Sequence, residues 1–228
     1  MSLKQRRLPS QTQPVTPTVR TPRTTYRHGD LHRTLLDAGI ALARDGGPDA
    51  VVLREATRRA GVAPNAAYRH FANRDALLDA VRAAAVAEAA ISMEQEMAQL
   101  PRTGTPVELA RAKLRAVGAG YMRFAWTQTG LFRTAFGGKF TVDQNRAPDP
   151  AKAGRMGLDP FRHLVAALDE LVASGALPAE RRRGAEFLAW STVHGMALLA
   201  LDGPMRELPP EMLDALGQRL LDMVERGL

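Results

Sequence analysis

The 228-residue chain contains no cysteine. That excludes disulfides, thiolate metal sites and a cysteine nucleophile, and is compatible with a reducing compartment. A secretory signal is not expected either: Lys4, Arg6 and Arg7 are followed by Pro, Thr and Gln rather than by an apolar stretch. No apolar run approaches the ~20 residues of a membrane-spanning helix, so the expectation is a cytoplasmic protein with no membrane partner. Strand-like alternation and repeats of solenoid period are absent from the pattern. Enzymatic signals are also missing. There is no G-x-S-x-G elbow, and Phe136-Gly137-Gly138-Lys139-Phe140 lacks the spacing of a phosphate loop. No catalytic residue, cofactor or metal site is expected. His28, Asp30 and His32 are more simply read as capping a helix or meeting phosphate than as metal ligands.

What the chain does have is an uneven distribution of positive charge. Its net charge is +7, and residues 1–29 hold six basic side chains and no acid. Residues 30–82 hold eight basic and seven acidic groups, and residues 83–228 hold seventeen of each. An N-terminal third that meets a polyanion would show this bias, and so would a solvated tail without a partner. Residues 1–27 contain Pro9, Pro14, Pro17 and Pro22 among Gln and Thr, with little apolar surface to offset ordering entropy, and read as a disordered basic tail.

From Asp30 the pattern becomes helical. Leu31, Leu35, Ala38 and Leu42 recur at intervals of three and four, with Asp30 as cap and Gly46-Gly47-Pro48 as stop. A second helix is predicted over about 52–60, ending at Gly61, and a third from Pro64 to near Phe71. Asn73 is the expected N-cap of a fourth that continues toward Gln99. Helical patterns follow at 106–127, 130–136, 159–174, 178–202 and 209–226, separated by Pro and Gly. The interval from Gly137 to Arg155 reads as a mobile surface loop at the edge of a pocket. The fold expected is all-α: a compact N-terminal three-helix unit (28–82) joined by its fourth helix to a helical C-terminal body (83–228).

The stretch Leu53 to Phe71 has the spacing of a helix-turn-helix. Gly61 supplies a turn residue free of Cβ strain, and Val62 an apolar plug behind it. Small residues, Asn65 and Ala66, open the second helix and let its start approach base edges. Arg54, Tyr68, Arg69, His70 and Arg74 surround it with donors for phosphate oxygens or guanine. Two packed helices with solvated arginines would give the same spacing.

Taken together, Leu53-Arg54-Glu55, Arg58-Arg59-Ala60-Gly61-Val62, Tyr68-Arg69-His70-Phe71 and Asp75-Ala76-Leu77-Leu78 make residues 28–82 resemble the TetR family. The resemblance implies that Arg54, Asn65, Ala66 and Arg69 face bases, that Tyr68, His70 and Arg74 hold phosphates, and that Pro64 presets the turn entering the reading helix. The chain departs from the family pattern in three places. Ala63 stands where a capping Ser or Thr is usual. Ala56-Thr57 replaces a large aliphatic followed by alanine, which is expected to loosen packing. Arg74 replaces a lysine.

Later, Trp190-Ser191-Thr192-Val193-His194-Gly195 resembles a TetR C-terminal subfamily named for its Trp, His and Gly, as does the run from Tyr121 to Trp126 and on to Arg133. Tyr121, Phe124, Phe161, Trp190 and His194 are the candidate ligand-binding residues, though helical spacing also suits them to the core. His194 reads either as a polar anchor in a ligand cavity or as a satisfied core histidine. Gly195 would admit a close neighbouring helix, and Arg181-Arg182-Arg183 reads as a solvated face. Apolar stripes at Phe187, Leu188, Leu198 and Leu199, and at Leu213, Leu216, Leu220, Met223 and Val224, are wide enough to pack inward and against a partner. The expected partners are a second copy of the chain, pseudo-palindromic double-stranded DNA and a small-molecule effector that releases a repressor from its operator. Two rival readings remain: a helical carrier or enzyme with a vestigial DNA module, and a non-specific DNA-coating protein dependent on the tail.

Overall fold

The computed structural model describes residues 28–138 and 147–228, so the tail expected over 1–27 lies outside the described residues. Among those described there are α-helices and no strand: α1 (His28–Gly46), α2 (Leu53–Arg59), α3 (Pro64–Ala67), α4 (Arg74–Met97), α5 (Pro106–Thr127), α6 (Thr129–Phe136), α7 (Pro160–Ala173), α8 (Ala185–Leu201) and α9 (Pro210–Gly227). No helix among the described residues is long and apolar enough to cross a membrane.

Several helix starts follow from capping chemistry. The Asn73 side chain accepts from Ala76 N at 2.8 Å and opens α4. Thr105 and Glu108 form a reciprocal capping box at α5, with Pro106 following the cap. Asp159 accepts from Arg162 N at 2.9 Å and opens α7. Each of these residues satisfies an amide that the helix leaves without an internal partner.

Four expectations need correction. The first helix starts at His28, so Asp30 lies inside its first turn rather than capping it. The third is a single turn: beyond Ala67 the chain bends so that Phe71 is buried and stacks on His32 with ring centroids 4.7 Å apart. The segment 178–202 is not one helix, because left-handed Gly184 (φ 79°) separates the 3-10 turn Ala179–Arg181 from α8. Of the loop expected from Gly137 to Arg155, residues 139–146 lie outside the described residues, and the part after them is structured, with a 3-10 turn at Pro150–Lys152 and amides beyond it bonded to α4.

α4 is the helix shared by both halves, and a boundary at residue 82 falls inside it. Leu77 and Val81 face Gly39 of α1, whereas Met93 meets Gly120 of α5, and all three belong to one continuous core. The α4–α5 crossing is close at Gly120, where a Cβ would stand 2.7 Å from Met93 N and 2.8 Å from Ser92 O. Ser92 Oγ donates to Gly120 O at 2.8 Å across the same contact. On α8 and α9, Leu216, Leu220 and Val224 pack against the core, while Leu188, Leu199, Met212 and Met223 remain exposed.

Because the atoms facing Gly120 are backbone, they cannot yield as a flexible side chain would. Gly120→Ala should therefore destabilise the protein by about 1–3 kcal/mol. In thermal unfolding it should lower Tm by roughly 2–4 °C for each kcal/mol in a chain of this size.

Candidate DNA-binding and ligand-binding sites

α2 and α3 are joined by a tight turn in which Gly61 has φ 66°, a left-handed conformation unfavourable to other residues. Val62 N bonds to Thr57 O at 3.0 Å, and its side chain packs against the core. Ala56 and Thr57, expected to loosen packing, are both buried, and the Thr57 hydroxyl donates to Arg54 O at 2.7 Å. α3 starts without a side-chain cap at Ala63.

The arginines of this unit divide into engaged and free. Arg58 is bound by Glu55, and this pairing holds the Glu55 carboxyl below its ordinary value. Arg59 reaches Asp45 at 3.1 Å. Arg74, expected on phosphate, instead donates from Nε to Val51 O (2.9 Å) and from Nη2 to Pro48 O (2.7 Å), bracing the loop between α1 and α2. By contrast, the side chains of Arg54 and Arg69 are exposed and make no hydrogen bond or ion pair among the described residues. Tyr68 is 59% exposed. Pro64 and Asn65 are exposed, Ala66 is half-buried, and half-buried His70 lies edge-on to His32 at 6.2 Å.

A cavity of about 550 Å³ lies between α4, α5, α7, α8 and α9, beside the segment following Ala147. Of the candidate ligand residues, Tyr121, Phe161 and Trp190 line it. Phe124 does not: it is 1% exposed and packs its ring 6.3 Å from Phe132, as a core residue. His194 stands behind the wall, where its Nδ1 lies 2.7 Å from the Tyr121 hydroxyl. Burial pushes the Tyr121 hydroxyl well above its ordinary value and the His194 imidazole below its own, so the bond joins a protonated phenol to a neutral ring. Trp190 Nε1 donates more weakly to the same hydroxyl oxygen, at 3.4 Å. Phe136, at the end of α6, completes this aromatic wall, 5.2 Å from Tyr121. Among the described residues no group of three or more His, Cys, Asp or Glu could hold a metal.

A buried polar centre beside the cavity, next to the lining residue Met93, is one that sequence reasoning missed. Glu94 on α4 is buried and accepts from Arg155 N and Met156 N, both at 2.9 Å, and from His163 Nε2 at 3.1 Å. Its signal was spacing: Val86, Ala90 and Glu94 recur every four residues, which places an acid on an apolar face. Burial lowers the His163 pKa, with Glu94 opposing the shift. Arg182, expected to be solvated, is a rim residue that binds Asp169 (2.8 Å) and Glu186 (2.7 Å).

Residues 35–81 match the family model described as "Bacterial regulatory proteins, tetR family", and residues 114–224 match "Tetracyclin repressor-like, C-terminal domain". The chain belongs to the TetR family. This TetR-family protein is a DNA-binding transcriptional regulator, and its all-helical architecture is the family's. A protein with unknown function from Rhodococcus sp. RHA1 is similar in structure, at 26% identity over 90% of this chain and 99% of that one, with a TM-score of 0.68. FadR from Bacillus subtilis in complex with stearoyl-CoA is 18% identical over 86% of this chain and 99% of that one (TM-score 0.59). A TetR variant from Acinetobacter baumannii AYE in complex with minocycline is 22% identical over 86% and 94%, respectively (TM-score 0.56). These last two share the fold. No curated protein matches the chain in sequence.

His163 and His194 are both held below the ordinary imidazole value of 6.5, so below that value the unfolded chain binds protons that the folded one resists. The stability they confer is complete above pH 6.5 and is lost as pH falls through the lowered folded values. Thermal midpoints measured between about pH 8 and about pH 5 should decline below the ordinary imidazole range. In His194→Gln, which keeps an acceptor for Tyr121, the decline should be shallower.

Proposed function

We propose that this regulator is a homodimeric repressor that holds a pseudo-palindromic operator and releases it when a small molecule enters the C-terminal cavity. Each subunit presents α3 to the major groove of one half-site. Arg54, Asn65, Ala66 and Arg69 meet base edges, and Tyr68 and His70 meet phosphates, with Pro64 setting the entry to α3. The observation carrying this reading is the contrast between engaged and free guanidinium groups: Arg58, Arg59 and Arg74 are bound within the unit, whereas Arg54 and Arg69 make no such bond among the described residues. Arg74 acts here as a brace for the reading unit rather than as a phosphate ligand.

Ligand control is supported by the shared walls. Met93 of α4 and Phe136 of α6 line the cavity, and the same two helices touch the DNA-reading half. Gly130 of α6 sits where a Cβ would meet the Ala43 and Arg44 carbonyl oxygens at the end of α1, and Arg44 Nε donates to Gln128 Oε1 at 2.9 Å. A molecule that displaces the cavity wall thus acts on helices that set the reading unit's position, and with it the separation of the paired reading helices. FadR and TetR, which share the fold, hold stearoyl-CoA and minocycline. Dimerisation is supported by the exposed apolar face of α8 and α9, and by the open space around a Cβ at Gly195.

In a gel shift with the DNA upstream of its own gene, the protein should bind at low salt. Arg54→Ala and Tyr68→Ala should each weaken binding by about tenfold or more, the scale of one lost base or phosphate contact, with an unchanged circular dichroism spectrum. Absence of any shift, or variants that bind like the parent, would overturn the reading. Leu188→Glu should yield a monomer in sedimentation velocity and lose operator binding with its helical content intact.

A further inference from the structure

The cavity is ringed by charge, but its charges already have partners. Four cations and five carboxylates line it among the described residues. Arg182 is held by Asp169 and Glu186, and Arg115 by Asp222 and Gln218. Lys152 pairs with Asp149, and Arg162 with Asp159, each at 3.4 Å. An anion that sought Arg182 would have to displace Glu186, whose side chain is only 9% exposed, and would leave a buried carboxylate without its counter-charge. The carboxylate excess opposes an anion further.

The remaining polar groups at and beside the cavity are satisfied in the same way. The Tyr121 hydroxyl is bonded to His194 and approached by Trp190, and Glu94 is bonded to two amides and His163. What remains toward the interior is apolar surface from residues such as Met93, Val117, Leu164 and Val193. We infer that the cavity selects an uncharged, apolar molecule and discriminates against carboxylates and sulfonates of the same size. This would separate it from FadR, whose stearoyl-CoA carries anionic phosphates. The inference rests on the reading of this cavity as the effector site.

Trp190 lines the cavity and is one of only two tryptophans, so Trp126→Phe in the full-length chain makes it the sole indole reporter. That substitution removes an indole N–H that has no hydrogen-bond partner among the described residues. N-phenyl-1-naphthylamine, which is neutral, and 8-anilinonaphthalene-1-sulfonate, its anionic relative, are titrated while energy transfer from Trp190 is followed. The unmodified protein, followed by dye emission, repeats the comparison.

The neutral dye should bind saturably and at least about tenfold more tightly than the sulfonate, equivalent to about 1.4 kcal/mol. Decan-1-ol should displace it at correspondingly lower concentration than decanoate. Equal or tighter binding of the sulfonate, or equal competition by decanoate, overturns the charge selection and leaves the effector-site reading standing. If the neutral ligand is preferred but leaves DNA affinity unchanged, the selection holds and the effector reading falls. Saturable binding of neither dye overturns both.

Discussion

The buried carboxylate of Glu94 is the constraint around which the C-terminal half is organised. A charge withdrawn from water needs donors to replace its hydration, and three converge here: two backbone amides from the segment after Gly154 and the imidazole of His163 on α7. Because α4 carries the carboxylate, the same bonds fix an otherwise irregular segment and α7 to the helix that runs on into the DNA-reading half. The cavity lies against this assembly, with α7 as one wall and Met93, one residue before Glu94, as part of another. Removing the carboxylate would leave donors without a partner near the C-terminal end of α4, where that helix meets α7 and the segment before it.

A second organising feature is the distribution of guanidinium groups. Coulomb attraction alone would let any arginine near the helix-turn-helix serve a polyanion, but most are committed within the protein. Arg58 pairs with Glu55 within α2, Arg59 ties α2 to Asp45 of α1, and Arg74 closes the loop before α2 through backbone carbonyls. The reading surface is therefore narrow. With residues 30–82 nearly neutral, it depends on a few placed donors rather than on a broad positive field. The cavity follows the opposite rule: its charges neutralise one another at the rim, and its interior is left apolar.

Much of this architecture was legible in the chain. The cap at Asn73 and the breaker at Gly61 mark helix limits through local chemistry, which acts over a few residues and is visible in a linear text. The Tyr121, Phe161 and Trp190 part of the cavity was legible as well, since aromatic residues at helical spacing on several helices must converge on a common interior. Phe124 and His194 carried the same pattern and proved to be core and second layer, because period alone does not tell which layer a residue occupies. Arg182 was misread, and the backbone bonds of Arg74 were not foreseen, for a related reason: a solvated arginine and a bracing one look alike until their acceptors elsewhere in the chain are known.

By itself, then, the sequence determined the approximate places of most helices, the turn at Gly61, the small-residue start of α3 and the absence of thiol chemistry, all of which depend on neighbours within a turn or two. The tertiary structure alone decided which arginines stay free, which aromatics face the cavity and how a lone acid on α4 is satisfied. Those outcomes depend on contacts between residues tens of positions apart, such as Glu94 with His163 and Tyr121 with His194, whose pairing no local pattern encodes.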